Sequence, residues 1–103
     1  MDEKLKERKN SIISYMESLV HKRYTKQTLE QSLFDFFGKK VTLCNGTNDW
    51  DEDYRVMFLV KDDILNHIFF DIWYLELRKT TNFPDGGMYI TEVGYDFDCV
   101  GSI

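Results

Sequence analysis

The spacing of the apolar residues changes once along this chain of 103 residues, close to Gly38. Before Gly38, apolar side chains recur every three or four residues, which is the period of an amphipathic helix. After Lys39 they recur every second residue, which is the period of a half-buried strand. We therefore predict one domain over residues 1–103, with a helical part at residues 1–38 and an antiparallel sheet at residues 39–103.

Two helices are predicted in the first part of the chain. The first spans residues 3–20 and should leave its charged first turns in solvent. Its apolar stripe consists of Leu5, Ile12, Met16 and Leu19. The second spans Lys26–Phe37, where Thr25 can cap the N-terminus and Gly38 can end the helix in a left-handed conformation. Its apolar face consists of Leu29, Leu33, Phe36 and Phe37.

Four strands are predicted, at residues 41–44, 54–60, 67–78 and 88–98. Turn signals separate them, among them Asn45-Gly46 and the sequence Pro84-Asp85-Gly86. Short connections between successive strands favour an antiparallel meander. With the two helices packed on one face of that meander, the fold belongs to the α+β class.

The last strand predicts which face of the sheet is buried. One side of it carries Tyr89, Val93, Tyr95 and Phe97, and the other carries Glu92, Asp96 and Asp98. The alternation predicts that the aromatic side is buried. The strand at residues 67–78 is apolar on both sides, so either both faces are covered or a bulge shifts the register near Asp71. We expect coverage, with helices on one face and a partner or a second copy on the other.

Charge is divided unevenly between the two parts. Residues 1–40 contain nine Lys and Arg against six Asp and Glu, whereas residues 41–103 contain four against twelve. The net charge of −5 therefore comes from the sheet. An acidic sheet rich in aromatic residues suits binding to another macromolecule better than turnover of a substrate.

An acidic stripe is the first candidate site. It consists of Glu92, Asp96 and Asp98 on one side of the last strand, with Glu76 across the hairpin. Such carboxylates could mimic the spaced charges of a phosphate backbone and occupy the nucleic-acid-binding cleft of an enzyme. The alternative is an ordinary solvated strand face.

A loop rich in carboxylates is the second candidate. Its partner-binding candidates are Asp49, Trp50, Asp51 and Glu52. The carboxylate spacing is like the start of an EF-hand, but Tyr54 stands where that loop needs Gly and Val60 where it needs Glu. No metal site is therefore expected. Trp is frequent at binding hot spots, which favours a contact loop anchored by Trp50, although the ring could equally fold back on the core.

The basic residues of the helical part are the third candidate. They are Lys4, Lys6, Arg8, Lys9, Lys22, Arg23 and Lys26. Because Glu3, Glu7 and Glu17 dilute them and no nucleic-acid-binding motif accompanies them, we expect a solvated helix face. Direct binding of nucleic acid is not expected.

No sequence motif indicates a reaction, so we predict that the protein is not an enzyme and has no catalytic residues and no cofactor. Cys44 and Cys99 are predicted to be free thiols that pack in the core. The longest apolar run, residues 56–60, is too short to span a membrane. The charged N-terminus is unlike a secretory signal, so a cytoplasmic protein is expected.

These features favour an inhibitor that binds a protein partner and covers its functional surface. The chain lacks Ala and is rich in Lys, Asn, Ile and Phe, which indicates an AT-rich source such as low-GC bacteria and their phages. By analogy of size and charge, the partner would be a nuclease or another nucleic-acid-handling enzyme, as for anti-CRISPR and antirestriction proteins. The alternative is a homodimeric structural or adaptor module. A third hypothesis is a small-molecule site formed by Phe69, Trp73 and Tyr74.

Overall fold

The computed structural model describes residues 2–46 and 54–97. Its helices are α1 (Asp2–Ser18) and α2 (Lys26–Phe37). Its strands are β1 (Arg23–Tyr24), β2 (Cys44–Gly46), β3 (Tyr54–Asp62), β4 (Asn66–Glu76) and β5 (Met88–Asp96). All strand pairs are antiparallel, in the order β1-β5-β4-β3-β2. The predicted α+β fold, with two helices preceding a four-stranded antiparallel meander, is confirmed, and β1 adds a short fifth strand at the edge.

The ends of α2 are fixed by the residues that the sequence indicated. Thr25 is extended, its hydroxyl accepts a hydrogen bond from the Thr28 amide at 3.1 Å, and the Thr28 hydroxyl accepts one from the Thr25 amide at 2.8 Å. This reciprocal pair is a capping box with Thr in place of the usual acidic residue. At the other end, Gly38 has φ 71° and donates its amide to the Phe34 carbonyl at 2.8 Å.

The connection between the helices joins the edge of the sheet. Helix α1 ends at Ser18, and His21 adopts a positive φ of 69° that turns the chain. The His21 amide then donates to the Ile90 carbonyl at 2.8 Å, and the Ile90 amide donates to the Lys22 carbonyl at 3.0 Å. These bonds lead into β1, which was not predicted because two residues carry no periodic pattern.

The core lies between the helices and one face of the sheet, which we call the inner face. Its fully buried residues include Ile12, Met16, Leu19, Leu29, Leu33, Val56, Ile68, Phe70, Ile72 and Ile90. Phe70 is at the centre, with its ring centroid 4.7 Å from that of Phe58 and 5.6 Å from that of Phe37. The predicted stripe of α1 is correct except at Leu5, which is exposed.

A β-bulge in β5 makes one prediction of the buried face wrong. Trp73 pairs with Glu92 and Tyr74 pairs with Ile90, so Thr91 is an extra residue in β5. The extra residue reverses the alternation, so Tyr89 lies on the face opposite the helices instead of in the core. The remaining predicted residues, Val93, Tyr95 and Phe97, pack against the core as expected. The bulge lies opposite Trp73 and Tyr74 of β4, and not at Asp71, the position predicted as the alternative.

Arg8 connects the helices to the β3–β4 turn, although it was expected to be solvated. Its guanidinium donates two hydrogen bonds to one carboxylate oxygen of the buried Asp62, at 3.0 and 2.7 Å. The other oxygen accepts the amides of Ile64 and Leu65 at 3.1 Å. Burial raises the pKa of the Asp62 carboxyl, but the hydrogen bonds from Arg8 and the two amides outweigh it and hold the pKa below its usual value. The rest of the basic residues in α1, Lys4, Lys6 and Lys9, are exposed as predicted.

Candidate functional site

The sheet has a second face, opposite the helices, which we call the outer face. Side chains alternate between the two faces along each strand, and cross-strand partners share a face. The outer face therefore includes Arg55, Met57, Leu59 and Lys61 of β3, His67, Phe69, Asp71, Trp73 and Leu75 of β4, and Tyr89, Glu92, Gly94 and Asp96 of β5, with Arg23 of β1 and Cys44 of β2 at its edges. Within residues 2–46 and 54–97, no helix or strand packs on this face.

An apolar strip runs along the middle of the outer face. It consists of Phe69, Trp73 and Leu75 of β4 with Met57 and Leu59 of β3. Leu59 retains 51 % of its accessible surface, and Leu75 is also exposed. Asp71 lies between Phe69 and Trp73 on β4, so the strip continues from one ring to the other only by way of Met57 of β3. Apolar residues grouped in this way on neighbouring strands are typical of a surface that contacts another molecule.

The Trp73 ring is held in place by a glycine on the neighbouring strand. A Cβ atom at Gly94 would lie 3.1 Å from Cζ3 and 3.3 Å from Cη2 of the ring, so the ring rests directly against the backbone of β5. Thr91, the bulge residue, donates its hydroxyl to the Trp73 carbonyl at 3.2 Å. The ring and its backbone are thus both positioned by β5, which gives the outer face a preorganised aromatic centre.

An ion pair interrupts the apolar strip, because Asp71 lies between Phe69 and Trp73 and Arg55 is paired with Trp73. Nε of Arg55 is 3.5 Å from Oδ1 of Asp71, and neither atom has a hydrogen-bond partner among the described residues. The guanidinium also donates to the sulfur of Met57 at 3.3 Å and lies 6.0 Å from the centroid of Trp73. Burial raises the pKa of the Asp71 carboxyl, and the nearby Arg55 charge only partly opposes this effect. The polar groups of this pair are therefore poorly solvated yet incompletely bonded.

Opposite charges lie on the two sides of the apolar strip. The acidic flank is Glu92 and Asp96 of β5, and the basic flank is Arg55 and Lys61 of β3. Glu92, Trp73 and Arg55 form one row across three strands. The outer face therefore carries acidic side chains on β5 and basic side chains on β3.

The predicted partner-binding residues fall into three groups. Glu92 and Asp96 lie together on the outer face and both are exposed. Glu76 follows Leu75 and so lies on the helix-bearing side at the end of β4, away from the acidic flank. The remaining five, Asp49, Trp50, Asp51, Glu52 and Asp98, lie outside the described residues.

The sequence interpretation missed the basic flank and the ion pair. The signal was present in β3, where Arg55, Met57 and Leu59 alternate with the buried Val56 and Phe58. Only the buried set was used to predict the strand. Arg55, Met57 and Leu59 share their face with the acidic side of β5, so a comparison of the two strands would have indicated that this face carries both signs of charge.

The aromatic residues proposed for a small-molecule site do not converge. Phe69 and Trp73 lie on the outer face, whereas Tyr74 lies on the helix-bearing side and stacks on Tyr54 with ring centroids 5.6 Å apart. Cys44, expected in the core, is instead exposed on β2, because the short edge strand leaves it uncovered; Cys99 lies outside the described residues.

A groove of about 510 Å³ lies at the end of the β4–β5 hairpin. Its lining includes Tyr54, Leu75 and Glu76, followed by Arg78, Lys79 and Asp85 of the connecting loop. Across the described ranges, no three His, Cys, Asp or Glu side chains are grouped to hold a metal ion.

Neither of the two described helices combines the length and the apolar character needed to cross a bilayer. Comparisons with protein-family models, with curated protein sequences and with solved structures give no match to this chain.

Proposed function

We propose that this protein is a non-catalytic, cytoplasmic protein-binding module whose contact surface is the outer face. The observation that carries the proposal is the exposed apolar strip, centred on a fixed Trp73 ring and bordered by flanks of opposite charge. A protein partner of mixed charge suits this face best. Its apolar groups would cover the strip, and its charges would complement both flanks.

Each part of the outer face has a physical use in such a contact. Covering Leu59, Leu75 and the Trp73 ring removes apolar surface from water, which is the main favourable contribution to most protein association. Trp and Arg are enriched at binding hot spots, and here Trp73 and Arg55 are neighbours in one row. The incompletely bonded Arg55–Asp71 pair would accept hydrogen bonds from, and donate them to, polar groups of the partner.

A second candidate function is inhibition of a nucleic-acid-handling enzyme, of the anti-CRISPR or antirestriction type encoded by phages and mobile elements. It is favoured by one observation, the exposed pair Glu92 and Asp96, which are four residues or about 13 Å apart along β5. These carboxylates could enter a basic cleft as phosphates do. Arg55 and Lys61 on the same face would repel such a cleft, so only the β5 edge of the sheet could engage it.

Affinity capture with matched variants tests the proposal. Leu59 on the outer face and Phe34 on α2 are exposed to similar extents, 51 and 47 %. Replacing either one by Ser should leave the fold intact, because exposed substitutions usually change stability by no more than about 0.5 kcal/mol. Tagged wild-type protein and both variants would be used to capture proteins, including untagged copies of this chain, from the source cells.

We expect a protein that wild type and Phe34→Ser retain and that Leu59→Ser loses. Retention by Leu59→Ser and loss by Phe34→Ser would overturn the proposal and indicate the helical side as the contact surface. For the second candidate, the captured protein should be an enzyme that binds nucleic acid, and added nucleic acid should displace it. A captured enzyme that Glu92→Lys plus Asp96→Lys still binds with full affinity would contradict that candidate.

A further inference from the structure

Among the described residues, the charges of the outer face are balanced, although those of the whole chain are not. The described residues of this face include three basic side chains, with Arg23 of β1 opposite Tyr89, and three acidic ones. They are Arg23, Arg55 and Lys61 against Asp71, Glu92 and Asp96. The chain as a whole carries −5. A partner surface with one dominant sign of charge would therefore bind the outer face with little net electrostatic attraction. A partner surface with the same balanced pattern can complement both its acidic and its basic side chains.

A second copy of this chain is such a surface, provided that it is turned correctly. We infer that the outer face binds the outer face of a second copy, related by a twofold axis that runs parallel to β4. This inference rests on the proposed function, because it identifies the protein that the outer face binds.

The direction of the axis follows from the charge pattern. A twofold axis perpendicular to the strands would lay β5 over β5 and bring one acidic flank against the other. An axis parallel to the strands lays β5 over β3 of the second copy, so that Glu92 meets Arg55, while Asp96 meets Leu59. Like charges facing each other across an interface are strongly unfavourable, and a twofold contact repeats every pairing twice. Of these two axes, the parallel one therefore fits the charges of β3 and β5 better.

The row through Trp73 gives this arrangement its specific contacts. Because Glu92, Trp73 and Arg55 lie in one row, Glu92 faces Arg55 of the second copy and the two Trp73 rings meet at the centre. Packed sheets lie about 10 Å apart, which leaves room for one layer of side chains from each copy. The two Asp71 carboxylates face each other across the axis, and their repulsion is offset by Arg55, which is 3.5 Å from Asp71 of its own copy and also contacts Glu92 of the other.

Sedimentation velocity of the full chain over a range of concentrations tests the inference. Wild type should form a dimer. Glu92→Arg places like charges at both symmetry-related contacts and should weaken dimerisation roughly tenfold or more. Glu76→Arg is the matched control, since Glu76 is also exposed but lies on the helix-bearing side, and it should leave the dimer unchanged.

Mixing two variants tests the axis itself. Arg55→Glu alone should also weaken the dimer. In a heterodimer of Arg55→Glu with Glu92→Arg, one contact is the native Glu92–Arg55 pair and the other is the same pair with its charges exchanged. Both contacts join opposite charges, so heterodimers should form with restored affinity. Arg55→Glu places an acid beside Asp71, so its melting temperature must be measured. Leu59→Ser, at an exposed position, provides an independent variant that should weaken the dimer without this risk.

A wild-type chain that is monomeric at every concentration would overturn the inference, as would a dimer that Glu92→Arg and Leu59→Ser leave intact. Failure of the inference and failure of the proposed function are distinguishable. A monomer that still captures another protein through Leu59 overturns self-association alone. Capture that survives Leu59→Ser overturns the proposed function, whatever the oligomeric state.

Discussion

The inner and outer faces of the sheet use the same three long strands but differ in how their polar groups are satisfied. On the inner side, Asp62 is buried and its carboxylate accepts four hydrogen bonds, two from Arg8 and two from backbone amides. On the outer face, Asp71 is also shielded from solvent, yet its ion pair with Arg55 is long and lacks hydrogen bonds at the facing atoms. The first arrangement satisfies the buried carboxylate, and the second leaves two buried polar atoms without a hydrogen bond among the described residues.

The pKa directions of the two carboxyl groups express the same difference. Burial raises the pKa of both carboxyl groups. At Asp62 the hydrogen bonds outweigh burial and the pKa is lowered, whereas at Asp71 the charge of Arg55 is not enough and the pKa stays raised. A group whose pKa is lowered by folding stabilises the native state when ionised, whereas a group whose pKa is raised opposes folding when ionised. The ionised carboxylate of Asp62 therefore stabilises the folded state, whereas the ionised carboxylate of Asp71 destabilises it.

Substituting adjacent phenylalanines in β4 should give the largest contrast between the faces. Phe70 is fully buried on the inner face, and Phe70→Ala should lower the free energy of unfolding by about 3–5 kcal/mol. Phe69 is only half-buried on the outer face, so Phe69→Ala should cost about 1 kcal/mol. Urea denaturation of the two variants measures both. Equal losses would mean that the outer face is already part of a packed core.

Neighbouring aspartates at the end of β3 should give the next largest contrast. Asp62→Ala leaves Arg8 and two amides without their acceptor and should cost about 2 kcal/mol of unfolding free energy. Asp63→Ala removes only a surface pair with Lys39, where the carboxylate is 89 % exposed, and should cost about 0.5 kcal/mol or less. Denaturation of the two variants at neutral pH makes the comparison. A larger loss for Asp63→Ala would contradict the role assigned to Arg8.

A smaller effect is expected where the outer face is preorganised. Gly94→Ala would place a Cβ atom about 3 Å from the Trp73 ring, so the ring must shift. The free energy of unfolding should fall by about 1 kcal/mol or less, because the ring can move toward solvent. Binding through the outer face should weaken more than the fold does, as seen by Trp fluorescence and by titration with the partner. Unchanged binding would show that the position of the Trp73 ring does not matter.

The smallest effect concerns pH. The stabilising contribution of Asp62 is present above its unfolded-state pKa, about 3.9, and is lost as pH falls through its lowered folded-state pKa. The folded-state pKa of Asp71 is raised, so between about pH 3.9 and that value acidification favours the folded state through this group. Asp71→Asn should therefore leave the free energy of unfolding at neutral pH unchanged or slightly higher. It should also remove the stabilisation that acidification gives through Asp71. A loss well above 1 kcal/mol would mean that the ion pair holds the fold together.

Much of the inner face could be predicted from the sequence, because burial there is encoded locally. The cap at Thr25, the end at Gly38 and the alternation of Val56, Phe58 and Val60 each follow from a few neighbouring residues. Tyr89 was assigned to the wrong face because the bulge at Thr91 depends on pairing with β4, and nothing in the local pattern of β5 indicates it.

The outer face was harder to predict, because its character depends on which strands are neighbours. Glu92 and Asp96 were correctly placed on one side of β5, but their relation to Arg55 requires the order β5-β4-β3. Arg8 shows the same limitation. Its position among charged residues indicated a solvated helix face, whereas its partner Asp62 lies 54 positions further along the chain.

The central claim is tested most directly by hydroxyl-radical footprinting. The free chain is compared with the assembled state, in which the chain is bound to its second copy or to the captured partner. The claim predicts that Met57 and Trp73 on the outer face become protected on assembly, while the exposed Phe34 on α2 reacts as it does in the free chain. Leu59→Ser should abolish that protection. Protection of Phe34, with Met57 and Trp73 as reactive as in the free chain, would contradict the claim and assign binding to the helical side.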